Sequence, residues 1–472
     1  MRRIGHIPAL LLAAGLSAPG GALEAQESGA GAPGLSVVLD FDQRLEADSN
    51  LDLAATSPGT SLIATTGLGL RLESHARAQD LSLGLSTRLR LRNDPGGSDA
   101  GTEIDEPRLR FSYSREAARS LLKLHGDWRR SDISFLRPES DFIGPGGVIV
   151  LPPDLADLTG TGKRRAWSLG GSLELGRDTP LGLTLGAGID RLDYADTTDP
   201  GLFDTTRANL SAALRLRFSP VMEGRVSADL DTYQADDAGQ TDRSTRSLAL
   251  GLTRDLSKRL TLDAELGFTR VETDETIGGL RTTTVEDGLT GRLALNREMA
   301  NGTLGATLSR IVNQNGTRSE FTLSRGLEFP AGALSASLGA VQGYSGRTRL
   351  IGALDWRRDL VRGNVSARLS RAVTSGSDDD DQLVTLLRLS WNHEINPLSS
   401  LGLTATYTLN DAFLTGTKTK NTSLGLSYSR HLTEDWRLTA GYTWRHRAET
   451  GAPGATSHAV FVALGRSFTI RP

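Results

Sequence analysis

Residues 423–445 read SLGLSYSRHLTEDWRLTAGYTWR, two alternating runs separated by a short polar turn. In the first run Leu424, Leu426 and Tyr428 share one parity, and Ser423, Gly425, Ser427 and Ser429 the other. Beyond the turn His431–Asp435, Trp436, Leu438, Ala440, Tyr442 and Trp444 alternate with Arg437, Thr439, Gly441, Thr443 and Arg445. Successive side chains of a strand point to opposite faces, so this stretch is a β-hairpin with one apolar and one polar surface. The unit recurs along almost the whole chain, for example at Leu81/Leu83/Leu85, Leu181/Leu183/Leu185, Leu260/Leu262/Leu266 and Leu401/Leu403.

Composition decides what such hairpins build. The chain has 472 residues, 38% hydrophobic and 23% charged, with 53 Gly, no Cys and a mean hydropathy of -0.26. A soluble all-β chain of this length would divide into domains with separate cores, yet no linker or shift in composition marks a division. The polar parity is too polar for a sandwich, in which one face of each sheet must be dry. A single closed antiparallel barrel whose dry face meets lipid accounts for both facts. Low mean hydropathy follows, because only alternate residues touch the bilayer. No run approaches the roughly 20 apolar residues of a spanning helix.

Met1–Ala25 combines Arg2 and Arg3 with an apolar run Ile7–Leu16 and small residues at Ala22 and Ala25, the pattern of a cleaved secretory signal. Residues 26–34 are expected to be a flexible periplasmic lead-in and 35–472 the barrel. Connections then alternate in length. One set is short, as at Ser114–Ser120, Arg177–Pro180, Ser219–Val221 and Glu328–Ala331. The other is generally longer, as at Asp48–Gly59, Asn93–Glu103, Asp132–Gly162, Ala195–Phe203, Thr273–Leu280 and Asn410–Lys420, with short exceptions near Asn313–Gly316 and Tyr344–Arg347. Short periplasmic turns and long external loops are the asymmetry of bacterial outer-membrane barrels. Alternating runs from Val37 to Ile470 number about 22, an even count that puts both ends in the periplasm. With strands starting by Val37, no N-terminal plug domain is expected.

The last strand carries the most specific motif. Val460, Val462, Leu464, Phe468 and Ile470 share one parity, and Gly465, Phe468 and Ile470 resemble the C-terminal signal read by the barrel assembly machinery. It departs from that pattern in ending at Arg471 and Pro472, without a terminal Phe. By this motif and by its overall pattern the chain resembles Gram-negative outer-membrane β-barrels of porin-like kind, and no subfamily is singled out. The resemblance implies contact with outer-membrane lipid and lipopolysaccharide, engagement of the assembly machinery, and small solutes or ions as cargo. A homo-oligomer is left open, and no nucleic acid partner is expected.

The polar parity suggests what the lumen does. Arg88, Arg90, Arg92, Arg108, Arg110, Lys123 and Arg129 fall on inward positions of three successive strands, a basic strip of wall. Asp190, Asp229, Asp231, Asp263 and Glu265 fall on inward positions of later strands. Opposed walls of this kind would set a transverse field across a water-filled pore. The alternative is that inward charges pair with neighbours across strands and simply solvate the lumen. Asp132–Gly162, the longest connection, has an apolar, Pro/Gly-rich middle and resembles in position the constriction loop of general porins. Asp141, Phe142, Ile143, Asp154 and Asp157 are its candidate contacts; an outward loop packing on its neighbours is the other reading.

Catalytic chemistry finds no support. The seven His have no neighbouring Ser or Asp in a hydrolase arrangement, and no enzyme activity, cofactor or metal site is expected. Asp378–Asp381 is a run of carboxylates without the spacing of a calcium loop. The functional expectation is therefore passive, porin-like passage of solutes through an outer-membrane channel. A partner-gated secretion or polysaccharide-export channel and a non-transporting surface protein or adhesin are the alternatives. Energised uptake by a TonB-dependent transporter would use the same strand number but requires a plug in the lumen.

Overall fold

A computed structural model describes residues 34–95, 102–133, 162–197, 199, 201–344, 346–375, 381–413 and 416–470. Twenty-two strands follow one another without a helix among the described residues. They begin β1 (Gly34–Asp48), β2 (Ser61–Ala76), β3 (Gln79–Asn93), β4 (Thr102–Ala117), β5 (Ser120–Asp132), β6 (Lys163–Leu175), β7 (Leu181–Ala195) and β8 (Thr205–Ser219). The middle of the wall is β9 (Met222–Ala235), β10 (Asp242–Ser257), β11 (Leu260–Ile277), β12 (Leu280–Met299), β13 (Gly302–Asn313), β14 (Gly316–Phe329) and β15 (Gly332–Gln342). It closes with β16 (Thr348–Leu360), β17 (Gly363–Ser375), β18 (Asp381–Asn396), β19 (Ser399–Ala412), β20 (Lys418–His431), β21 (Trp436–Glu449) and β22 (Ala455–Ile470).

Each strand pairs antiparallel with its sequence neighbours, and β1 pairs with β22 from Val37↔Ile470 to Asp48↔Ala459. Among the described residues closure leaves no unpaired edge strand, so the ladder can satisfy the backbone across a bilayer. Parity sorts the two faces as the sequence implies. Leu181, Leu210, Leu250, Leu266, Leu338 and Leu350 are exposed on the outside, a greasy band where a soluble protein would have a dry core. On the inside, Ser, Thr, Gly, Arg, Asp and Glu line the lumen.

The two rims differ. One carries two-residue turns, at 77–78, 118–119, 300–301 and 361–362, and both described ends of the chain lie on it. The strand ends that flank 49–60, 94–101 and 133–162 lie on the other. By this asymmetry the short-turn rim is periplasmic. Thr273–Leu280 departs from the expected long connection. There β11 runs on to Ile277, and Gly278 and Gly279, with φ of 61° and 82°, form a tight hairpin turn that a Cβ would strain. β12 meets β13 only from Gly291↔Arg310 downward, so this hairpin projects beyond β13.

Burial concentrates at the outer rim. Ile133 and Leu202 pack with Tyr194, and Val341, Ile351 and Leu383 pack with Val373 and Phe413. A third cluster is polar and joins the first strand to the last two. Asp48 accepts hydrogen bonds from Arg445, from the Ser457 hydroxyl and, at 2.9 Å, from the Asn50 backbone N–H. Asn50 Nδ2 in turn donates to the carbonyl of Thr456 at 3.1 Å. Lower on the same seam the Arg44 guanidinium lies 3.6 Å from the Phe461 ring centroid, and Ser467 Oγ donates to Asp40 at 2.5 Å.

Candidate functional site

The lumen wall of β3, β4 and β5 is where the sequence placed its basic strip, and carboxylates meet it there. Arg88 Nη1 lies 2.6 Å and Arg90 Nη2 2.8 Å from Glu106, and Arg90 also pairs with Asp105. Arg129 approaches Glu106 at 3.9 Å. Arg108 and Arg110 share Asp127, at 2.9 and 3.2 Å. Arg92 pairs with Asp94 and lies 3.8 Å from Asp52. Lys123 is exposed on the same face. The charge is therefore largely cancelled between neighbouring strands, which stabilises the wall and weakens any field across it.

Asp105 and Glu106 escape a parity argument because the strand carries a β-bulge. The register of β3 with β4 shifts between Ser86 and Arg88, and Glu106 has a φ of 49°. An extra residue in one strand lets two successive side chains turn to the same face. Ile104 and Leu109, five apart, are accordingly both exposed. The run Asp105-Glu106-Pro107, in which the proline cannot donate to the ladder, is the only sequence signal of the bulge.

The expected acidic positions also sit on the lumen face, mixed with cations. Asp231 receives a hydrogen bond from Arg207 Nε at 2.7 Å, Glu265 pairs with Arg225, and Asp263 accepts from Thr253 at 2.8 Å. Asp190 stands directly across from Arg207, and Asp229 is exposed between serines. Basic and acidic residues are thus interspersed along the same and neighbouring strands and do not form two opposed walls. Asp141, Phe142, Ile143, Asp154 and Asp157 lie outside the described residues. In β22, Phe468 and Ile470 are exposed on the lipid face while Gly465 stands across from Asp42 on the lumen side.

At the outer mouth a feature appears that parity could not show. The β16–β17 ladder stops at Gly352↔Arg371, although both strands continue outward. Past that point Val373 and Leu383, on the lipid-facing parity of their strands, pack on Val341 and Ile351, which face the lumen. The tip of β17–β18 therefore leans over the inner side of β15 and β16. Beside it Arg318, Arg347 and Arg349 gather with Tyr344, Phe413 and the buried Asp381. Arg349 stacks 3.7 Å from the Phe413 ring centroid, and Arg318 Nη1 lies 3.9 Å from Asp381. Guanidinium groups held on a ring and only partly neutralised suit an anionic or planar ligand.

No protein-family model matches the sequence, and no curated protein matches it. Solved structures do match in shape. The FrpB iron transporter from Neisseria meningitidis (F5-1 variant) superposes with a TM-score of 0.60 at 7% identity, over 93% of this chain and 83% of that one. The fold is that of a Gram-negative outer-membrane β-barrel. The siderophore receptor PiuA from Acinetobacter baumannii gives 0.57 at 10% identity, over 91% of this chain and 82% of the other. The siderophore receptor PirA from Pseudomonas aeruginosa gives 0.52 at 11%, over 93% and 80%. These findings overturn the expectation of passive, porin-like passage, because the barrels that share this shape are an iron transporter and siderophore receptors, not porins.

Proposed function

We propose that this outer-membrane barrel performs selective, gated uptake of a small solute, and that the solute is a metal chelate of the kind bound by the iron transporter and siderophore receptors it resembles. The observation that carries the reading is the outer mouth, where the leaning β17–β18 tip and the Arg318, Arg347 and Arg349 group stand beside the passage. Charge from guanidinium groups and a face from Phe413 together favour a compact anion with delocalised charge over a hydrated salt ion. The paired charges of the lumen supply a hydrophilic wall below that mouth. In the same reading residues 1–25 are removed as an export signal and 26–34 form a lead-in.

Titration of the purified protein in detergent with ferric hydroxamate and ferric catecholate chelates, followed by tryptophan fluorescence, tests this. Saturable binding is expected, weakened at least tenfold by Arg318→Ala with Arg349→Ala. Absence of binding by any chelate, or equal affinity in the double variant, would sink it. So would a steady conductance in planar bilayers that chelates leave unchanged.

A further inference from the structure

Five hairpins approach the short-turn rim with one tripeptide pattern: REA at 115–117, RDL at 254–256, REM at 297–299, RDL at 358–360 and RHL at 430–432. In each, the arginine is followed by a polar residue of the lumen parity, and then by an uncharged apolar residue at or beside the turn. Cross-strand register fixes where the arginines point. Arg115 stands across from Leu122, Arg254 from Leu262, Arg297 from Leu304, Arg358 from Val365 and Arg430 from Leu438. Directly opposed residues share a face, so all five arginines are on the lipid side of the wall.

They differ in one respect from the paired arginines of the lumen wall. Arg207, Arg225, Arg368 and the strip from Arg88 to Arg129 all have carboxylate partners. Among the described residues, none of the five rim arginines has one, and all five are exposed. A guanidinium stays charged at any physiological pH, so at the edge of a hydrocarbon layer it must find an anion. The apolar residue two positions on marks how deep the bilayer reaches: Leu256, Met299, Leu360 and Leu432 are themselves exposed. Two residues along a strand advance about 6.8 Å, less once the strand tilts, which an extended arginine can span by snorkelling. Its head then sits at headgroup level while the leucine or methionine stays in the acyl boundary.

We propose that Arg115, Arg254, Arg297, Arg358 and Arg430 form a girdle that binds the phosphodiester groups of anionic phospholipids in the periplasmic leaflet. The girdle takes the place of the aromatic belt that a chain with 5% aromatic residues cannot build in full. Arginine suits this task because its planar fork can hold two phosphate oxygens at once.

The test compares refolded full-length protein in phosphatidylcholine vesicles with and without phosphatidylglycerol, reading the temperature at which the folded band on a gel converts to the unfolded one. Phosphatidylglycerol is expected to raise that temperature for the wild type, less so in high salt. Changing the five arginines to glutamine abolishes the shift, and changing them to lysine keeps part of it. Arg246→Gln with Arg270→Gln, which face each other toward the opposite rim, leaves it intact. Should the fivefold glutamine variant not fold, the single variants must each remove a share of the shift. A full shift in the glutamine variants, or its loss in Arg246→Gln with Arg270→Gln, overturns the proposal. An equal, arginine-dependent shift with lipopolysaccharide in place of phosphatidylglycerol also overturns it, since the girdle would then serve the outer leaflet.

Discussion

Removing the carboxylate of Asp48 should unfasten the barrel at the seam between its first and last strands. Asp48 and Ser457 are fully buried, and the Arg445 side chain is 5% exposed. The carboxylate is a common acceptor for Arg445, Ser457 and the Asn50 backbone N–H, so Asp48→Ala removes one side of a buried ion pair and the acceptor of two further donors. Breaking one side of a buried ion pair costs about 3–5 kcal/mol, which corresponds to roughly a hundred- to several thousand-fold in the unfolding equilibrium. Replacing both partners, as in Asp48→Ala with Arg445→Met, removes both charges of the pair and should recover much of that loss. The single and double variants, unfolded in guanidinium chloride from lipid vesicles, form a double-mutant cycle. A coupling energy above about 1 kcal/mol is expected for groups in direct contact. Strictly additive single effects, each below about 1 kcal/mol, would refute the reasoning, because they would show that neither group depends on the other.

Glu106→Ala should destabilise the wall by about 1.5–3 kcal/mol through loss of charge-assisted hydrogen bonds to Arg88 and Arg90, with Glu106→Gln intermediate; denaturant midpoints in the same vesicles check the order. At the base of the connection after β3, burial disfavours the charged form of Asp94, but hydrogen bonds from Arg92 and Ser61 outweigh it and hold its carboxyl below the usual range. A lowered folded pKa contributes stability above the unfolded value near about 3.9 and loses it as pH falls through the folded one. Exchange protection around Ser61 and Asn93, taken relative to the intrinsic rate at each pH, should therefore fall on acidification below about pH 4, and Asp94→Asn should show the lower protection already at neutral pH. Phe468→Ala is expected to leave protein unassembled in the periplasm, and normal amounts of heat-modifiable protein in outer-membrane fractions would count against the C-terminal signal.

Alternation alone was enough to read the architecture. A strand has a period of two, and a barrel in lipid must be dry outside and wet inside, so Leu181, Leu183 and Leu185 against Gly182, Thr184 and Gly186 already imply the wall and its facing. The same local rule carried the strand number, because it does not depend on contacts between distant segments. It failed where the period is broken. The bulge at Asp105-Glu106-Pro107 turned two carboxylates toward Arg88 and Arg90, a pairing that parity does not show. At Gly278-Gly279 a loop-like composition proved to be a tight turn, since two residues at positive φ continue a hairpin. Closure also lay beyond the sequence. Asp48 and Arg445 are 397 residues apart and meet only because the sheet curls until β22 reaches β1. The leaning β17–β18 tip and the Arg318, Arg347 and Arg349 group beneath it depend on where neighbouring ladders end. So do the size and shape of the closed barrel, on which its likeness to solved outer-membrane barrels rests and which no single strand encodes.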